Sequence, residues 1–170
     1  MSSRNRSGNA LQAGVSPARL PLHKNDFTIR NAKLSDAPEL AALICQLGYQ
    51  AKRVKMEMRL KSVFSSPAYK TFVAIMDGCV CGMIGTLTHP TYEHNDLSGR
   101  ILALVTLSTA RRRGIGRALI AAAEKDFVRK GIKRVALDTR LTREDAHKFY
   151  ESLGYERNGW RFVKQLRPSY

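Results

Sequence analysis

Residues 111–117 read Arg111-Arg112-Arg113-Gly114-Ile115-Gly116-Arg117, a segment with two glycines and four arginines. It follows a long apolar run, residues 100–108, and precedes a stretch whose apolar residues recur at helical spacing. A helix that begins here has unpaired backbone N–H groups in its first turn, and its dipole adds partial positive charge. The two glycines let an anion approach the backbone closely, and the four arginines add full charges. The segment therefore predicts a phosphate-binding loop.

The spacing of this loop excludes two common nucleotide-binding patterns. The Gly-Lys-Ser/Thr ending of a nucleotide P-loop is missing, and Leu119 stands where Gly-x-Gly-x-x-Gly needs its third glycine. A tight strand-to-helix turn on a basic surface is the alternative explanation.

Over the whole chain, the sequence predicts the element order β-α-α-β-β-β-α-β-α-β. Asp77-Gly78 between two strands predicts an antiparallel hairpin, whereas the strand–helix–strand order around the loop predicts a parallel pair. A last strand is expected at Trp160–Leu166, and the second helix is expected to place Val54 and Met58 on one stripe. The predicted fold is therefore α/β, with a mixed central sheet and helices on its faces.

The composition predicts a single domain over residues 26–170. Residues 1–25 carry four bases and no acid and lack an apolar period, so they are expected to form a flexible basic tail. No segment is apolar enough to cross a membrane, and no secretory pattern is present. The three cysteines, Cys45, Cys79 and Cys81, are expected to be buried thiols of a cytoplasmic protein. The net charge of +15 favours anionic partners, although an arginine-rich, solvated surface would explain it equally.

Two motifs in this order resemble the signatures of the GCN5-related N-acetyltransferase (GNAT) superfamily. The first signature stands here as Arg111-x-x-Gly114-x-Gly116, and the second stands as Ala146-x-x-x-Tyr150-x-x-x-Gly154-Tyr155. The likeness covers about residues 27–166. It implies the acyl-CoA N-acyltransferase fold, which some schemes class as α+β, with a mostly antiparallel sheet of six to seven strands.

The resemblance also implies a cofactor site for acetyl-CoA. Backbone amides from Arg112 to Arg117 would hold the pyrophosphate, and the pantetheine arm would enter between the strands at 100–108 and 134–139. Arg143 stands where the family often has an asparagine that contacts the pantetheine. The expected cofactor-binding residues are Leu104, Val105, Thr106, Arg111, Arg112, Arg113, Gly114, Ile115, Gly116, Arg117 and Arg143.

Two residues are candidates for proton transfer. A primary ammonium has a pKa near ~10.4 and must lose a proton before it attacks a thioester, and the departing thiolate gains from an acid. By resemblance Tyr150 is the candidate acid, although its place on an apolar helix face would also suit core packing. Asp138 matches the place of a catalytic glutamate in similar ribosomal-protein alanine acetyltransferases. The polar residues Glu93, His94 and Asp96, or water, are alternatives for the base.

These observations favour an N-acetyltransferase that moves the acetyl group of acetyl-CoA to a primary amine by direct attack in a ternary complex. The sequence contains no recognisable Ser/His/Asp triad, Cys/His pair or metal cluster, so no metal and no covalent enzyme are expected. The acceptor is a small molecule or a peptide amine. A non-catalytic module that senses CoA or docks on nucleic acid remains the alternative, and a homodimer remains open.

Overall fold

The computed structural model describes residues 27–166; the predicted tail, residues 1–25, lies outside them. The five strands are β1 Phe27–Asn31, β2 Tyr69–Met76, β3 Cys79–His89, β4 Ser98–Thr106 and β5 Val135–Leu137. The four α-helices are α1 Ala37–Gln46, α2 Arg53–Phe64, α3 Ile115–Arg129 and α4 Glu144–Glu151. Across residues 27–166, none of these helices has both the length and the apolar character needed to span a bilayer.

The strands form one sheet in the order β1-β2-β3-β4-β5. The first three contacts are antiparallel, and β4 pairs with β5 in parallel, so the predicted mixed sheet is confirmed. The predicted hairpin is also confirmed, because Asp77 and Gly78 have the positive φ angles, 52° and 77°, that a tight two-residue turn requires. The parallel contact spans only three residue pairs, from Gly99–Val135 to Ile101–Leu137.

Helices pack on both faces of this sheet. One core cluster joins α1 and α2 to the face that carries Val73 and Val105. The other joins α3 to the face that carries Ile84, Ile101 and partly buried Leu104. Gly99 fits beneath Phe127 of α3, where a Cβ would lie 2.9 Å from the ring. The faces of β4 are therefore fixed: Gly99, Ile101 and Leu104 lie towards α3.

The strand count corrects the sequence prediction, because the sheet formed by residues 27–166 has five strands rather than six to seven. The expected strand at Trp160–Leu166 has no regular structure. Its side chains find no apolar face to cover, since Trp160 and Phe162 are 75% and 94% exposed. The strand that could receive it, β5, contains only three residues and offers little edge for pairing.

Two further expectations are wrong in detail. The buried side of α2 carries Met56 and Leu60, which are four residues apart, while Val54 and Met58 are mostly exposed. Of the three cysteines only Cys81 is buried, and its thiol donates to the Ala74 carbonyl. Sequence periodicity could not choose between the two faces of α2, because both carry apolar residues.

Candidate active site

The sheet opens between β4 and β5. Their pairing ends at Ile101 and Leu137. At the same level β4 contains a bulge: Gly85 of β3 pairs with Ala103 and Thr86 pairs with Ile101, which leaves Leu102 without a partner on β3. From Leu102 to Thr106, therefore, no strand of residues 27–166 lies beside the outer edge of β4. We call this space the β4–β5 gap.

The open edge of β4 presents backbone hydrogen-bonding groups to the β4–β5 gap. The Leu107 N–H donates to the Cys81 carbonyl at 2.8 Å, which directs it towards β3. Because successive N–H groups of a strand point to opposite sides, those of Leu104 and Thr106 point away from β3 and into the gap. Such an edge can pair with an extended amide-containing ligand, as an added strand would.

The loop between β4 and α3 forms a row of free donors. Gly114 caps α3 with φ of 82°, and Arg112 also has positive φ, 59°, which is rare for a side chain other than glycine. The first helical hydrogen bond runs from the Ala118 N–H to the Gly114 carbonyl at 3.0 Å. None of the six N–H groups from Arg112 to Arg117 donates to another residue within the described range. Free backbone donors in a row at the start of a helix can bind an anion, and the phosphate-binding role of this loop stays a prediction.

Two contacts hold this loop in place, and sequence reasoning missed both. The Gln46 side chain, at the end of α1, accepts from the Ser108 N–H at 3.0 Å. Gly116 lies against Phe149 of α4, where a Cβ would approach the ring to 3.3 Å. Gly114 serves the loop's conformation and Gly116 serves the close contact between α3 and α4. Neither tertiary partner is visible from sequence spacing.

The arginines around the loop carry uncompensated charge. Within residues 27–166, no carboxylate lies within 4 Å of the basic groups of Arg111, Arg112, Arg113, Arg117 or Arg143, whereas Arg100, Arg129, Arg134 and Arg157 are all ion-paired. Arg113 contacts the Met76 sulfur at 2.7 Å and Arg117 contacts Ser152 Oγ at 3.4 Å, which are neutral partners. Such a concentration of unpaired arginines favours a polyanionic ligand.

Tyr150 of α4 lies on the same face of the sheet as Leu104 and joins the α3 core cluster. Its ring packs edge-on against Phe149 and Tyr155. Its hydroxyl forms no hydrogen bond with any other described residue. Burial raises the pKa of the Tyr150 phenol above its ordinary value of 10.0, and the charge of Arg143 opposes part of this rise. The phenol is therefore protonated at neutral pH and keeps its proton available for donation.

Asp138 directly follows β5 and is held by arginines. Its Oδ2 accepts a hydrogen bond from Arg100 of β4 and forms an ion pair with Arg161 at 3.4 Å. Its Oδ1 has no partner in the described part of the chain, and the side chain is 28% exposed. The carboxylate lies at the mouth of the β4–β5 gap, but with one oxygen already engaged by two guanidinium groups.

The architecture and loop match a known family. The sequence pattern of the Acetyltransferase (GNAT) family matches residues 37–155, more than half of the chain. The chain belongs to the GNAT family of acetyltransferases. The recognised resemblance and the predicted enzyme class are confirmed by this match, which spans α1 to the end of the second signature.

Relatives of this GNAT chain include one curated enzyme and many solved structures. The aminoalkylphosphonate N-acetyltransferase of Salmonella typhimurium strain LT2 is 34% identical over 143 residues, which cover 81% of this chain and 90% of that protein. A GNAT family acetyltransferase from Staphylococcus aureus is 28% identical, with a TM-score of 0.72 over 84% of this chain and all of that one. A transcriptional regulator from Bacillus halodurans C-125 has a TM-score of 0.77 at 22% identity, over 82% of this chain and 99% of that one, which shows the shared fold alone.

The polar loop of this GNAT chain lies apart from the β4–β5 gap. Glu93, His94 and Asp96 line an open depression with Lys133, at the Ser98 end of β4, while Thr106 lies at the other end. Asp96 is also ion-paired with Arg134. Of the candidate bases considered from the sequence, only Asp138 lies where β4 and β5 separate.

Proposed function

We propose that this GNAT protein transfers the acetyl group of acetyl-CoA to the primary amine of a small aminoalkyl acid, by direct attack in a ternary complex. The observation that carries the proposal is the row of six free N–H groups from Arg112 to Arg117, placed beside the open edge of β4. Acetyl-CoA has a pyrophosphate followed by an amide-containing arm. The pyrophosphate would contact the N–H row, and the arm would contact the strand edge beside it.

The residues present fit acetyl-CoA. The donors of the loop and the charges of Arg111 to Arg113 and Arg117 suit its pyrophosphate, and the Leu104–Thr106 edge suits the amides of its pantetheine arm. Arg143, whose charge reaches Tyr150, would contact the arm close to the sulfur. When bound, acetyl-CoA supplies an activated thioester.

The protein groups around the gap suit acyl transfer to an amine. The Thr106 N–H can donate to the carbonyl oxygen as negative charge develops on it. Tyr150 can give its proton to the sulfur as the C–S bond breaks and the N–C bond forms. The acceptor ammonium loses two protons in forming the amide, and the free Oδ1 of Asp138, or water, is the proposed acceptor for the first. The second proton leaves the nitrogen as the tetrahedral intermediate collapses and passes to solvent, from which the Tyr150 phenolate regains a proton.

Two observations support an acidic acceptor. The relative from Salmonella is named for aminoalkylphosphonates, and it is 34% identical over most of both chains. The net charge of +15 disfavours polycationic acceptors and favours anionic ones. A small amine that carries a phosphonate satisfies both conditions.

An acceptor panel tests this proposal. Release of CoA is followed with a thiol reagent, and products are identified by mass, with acetyl-CoA and one of four amines: 2-aminoethylphosphonate, ethanolamine, spermidine or a short peptide. We expect 2-aminoethylphosphonate to be acetylated with the highest kcat/KM, and a reaction without amine to release CoA only at background rate. Binding of acetyl-CoA without acetylation of any amine would contradict the proposal and favour a CoA-sensing module.

A further inference from the structure

We propose that Arg100 and Arg161, held together by Asp138, bind the anionic group of the acceptor amine. The inference rests on the proposed function and adds a site for the phosphonate to it. It starts from a cluster that the cofactor site leaves unused: two guanidinium groups that converge on one carboxylate oxygen beside the β4–β5 gap.

The cluster lies on the face of the sheet opposite to Tyr150. Gly99 and Ile101 point towards α3, so Arg100 between them points to the other face. Leu137 also belongs to the α3 cluster, so Asp138 after it points the same way as Arg100. Tyr150 packs on the α3 face. An acceptor held by the arginines would therefore reach the gap from one face while the acid acts from the other.

The cluster has positive charge to spare. Two guanidinium groups meet one carboxylate, which leaves a formal charge of +1, and the side chains of Arg100 and Arg161 are 39% and 64% exposed. Among residues 27–166, Asp126 also has two basic partners, but these are its neighbours at positions 129 and 130. The two partners of Asp138 come instead from distant parts of the chain. Each guanidinium carries five donors in a planar fork, so donors remain free for the oxygens of a phosphonate.

The spacing suits a short zwitterion. The register that pairs Ile101 with Leu137 places Asp138 level with Leu102, and Arg100 reaches forward to that level. From there to Leu104, where the gap would hold the acetyl group, two residues of strand span about 7 Å. A two-carbon aminoalkyl chain with a hydrogen bond at its anionic end bridges such a distance.

The test compares Arg100→Gln with a matched control, Arg134→Gln. Both arginines are half-exposed, and each is ion-paired with one aspartate: Arg100 with Asp138 at the end of β5, and Arg134 with Asp96 in a loop. Both substitutions remove one positive charge. We expect Arg100→Gln to lower kcat/KM for 2-aminoethylphosphonate by about 30- to 100-fold, the usual loss for one charge-assisted contact. The loss should lie mainly in KM, because the anion is bound equally before and during reaction. For ethanolamine, kcat/KM should change less than about threefold.

The control variant should leave kcat/KM for both amines within about threefold of wild type. Equal losses for ethanolamine and 2-aminoethylphosphonate in Arg100→Gln would overturn the inference, as would an unchanged value for 2-aminoethylphosphonate. A wild type that acetylates ethanolamine as efficiently as 2-aminoethylphosphonate would overturn it while leaving acetyl transfer intact. A wild type that acetylates neither amine nor any other would remove the proposed function and this inference with it.

Discussion

Replacing Gly114 with aspartate is expected to lower the affinity for acetyl-CoA by at least about 100-fold. Two like charges about 4 Å apart near a protein surface repel by up to about 4 kcal/mol, and each factor of ten in affinity corresponds to only about 1.4 kcal/mol. The new carboxylate would lie in the row of free N–H groups where the pyrophosphate is proposed to bind. Apart from the two adjacent residues, no atom of residues 27–166 lies within 4 Å of a Cβ built at this position, so the substitution creates no steric clash with the rest of the described chain. Calorimetric titration with acetyl-CoA measures the effect.

Gly114→Asn is the matched control for this experiment. Asparagine has nearly the same size as aspartate, tolerates the left-handed conformation that Gly114 adopts at φ of 82°, and carries no charge. We expect the asparagine variant to bind acetyl-CoA within about tenfold of wild type, because only local strain of about 1 kcal/mol is introduced. Unchanged binding by a folded Gly114→Asp protein would reject the loop as the pyrophosphate site.

Replacing Tyr150 with phenylalanine is expected to lower kcat by about 10²- to 10³-fold, which is the usual contribution of a general acid. The ring and its edge-on contacts with Phe149 and Tyr155 remain. The hydroxyl has no hydrogen-bond partner among residues 27–166, so stability should change by less than about 1 kcal/mol. Because burial raises the pKa of Tyr150, the wild-type phenol stays protonated to a higher pH than an ordinary tyrosine does. The wild-type rate should therefore fall only in strongly basic solution, and this limb should disappear in the variant.

Tyr155→Phe is the control for Tyr150→Phe. The Tyr155 hydroxyl donates to Glu124 at 2.9 Å, and burial together with this hydrogen bond raises the pKa of Tyr155. Loss of this hydrogen bond should lower the free energy of unfolding, measured by urea denaturation, by about 1–2 kcal/mol. It should leave kcat nearly unchanged. Near-normal kcat in Tyr150→Phe would make Tyr150 a core aromatic and remove the acid from the mechanism. Weaker acetyl-CoA binding with normal kcat at saturation would make it a binding residue.

The sequence predicted the backbone turn of the loop and the mixed pairing of the sheet for local reasons. Gly114 occupies a backbone position that few residues other than glycine adopt, and the Asp77-Gly78 turn requires two positive φ angles, so both left a clear signature. The order of strands and helices followed from apolar periodicity, which depends on neighbours close in sequence.

Features that depend on distant contacts escaped the prediction. The ion pairs of Asp138 join residues 38 and 23 positions apart, and local sequence spacing does not predict contacts over such separations. Arg100 did leave a signal, since it is a charged residue at the start of the apolar run of residues 100–108. The segment Trp160–Leu166 has a strand-like composition, but pairing depends on whether the sheet offers it an edge, which composition cannot tell.

A single-turnover experiment tests the central claim of direct acetyl transfer most directly. Protein in excess is mixed with acetyl-CoA labelled in the acetyl group and with 2-aminoethylphosphonate, and the mixture is quenched at intervals. Direct transfer predicts that label passes from acetyl-CoA to the amine in one phase, with no label attached to the protein at any time. Label that appears on the protein before the product, or acetyl-CoA that stays intact while bound, would contradict it.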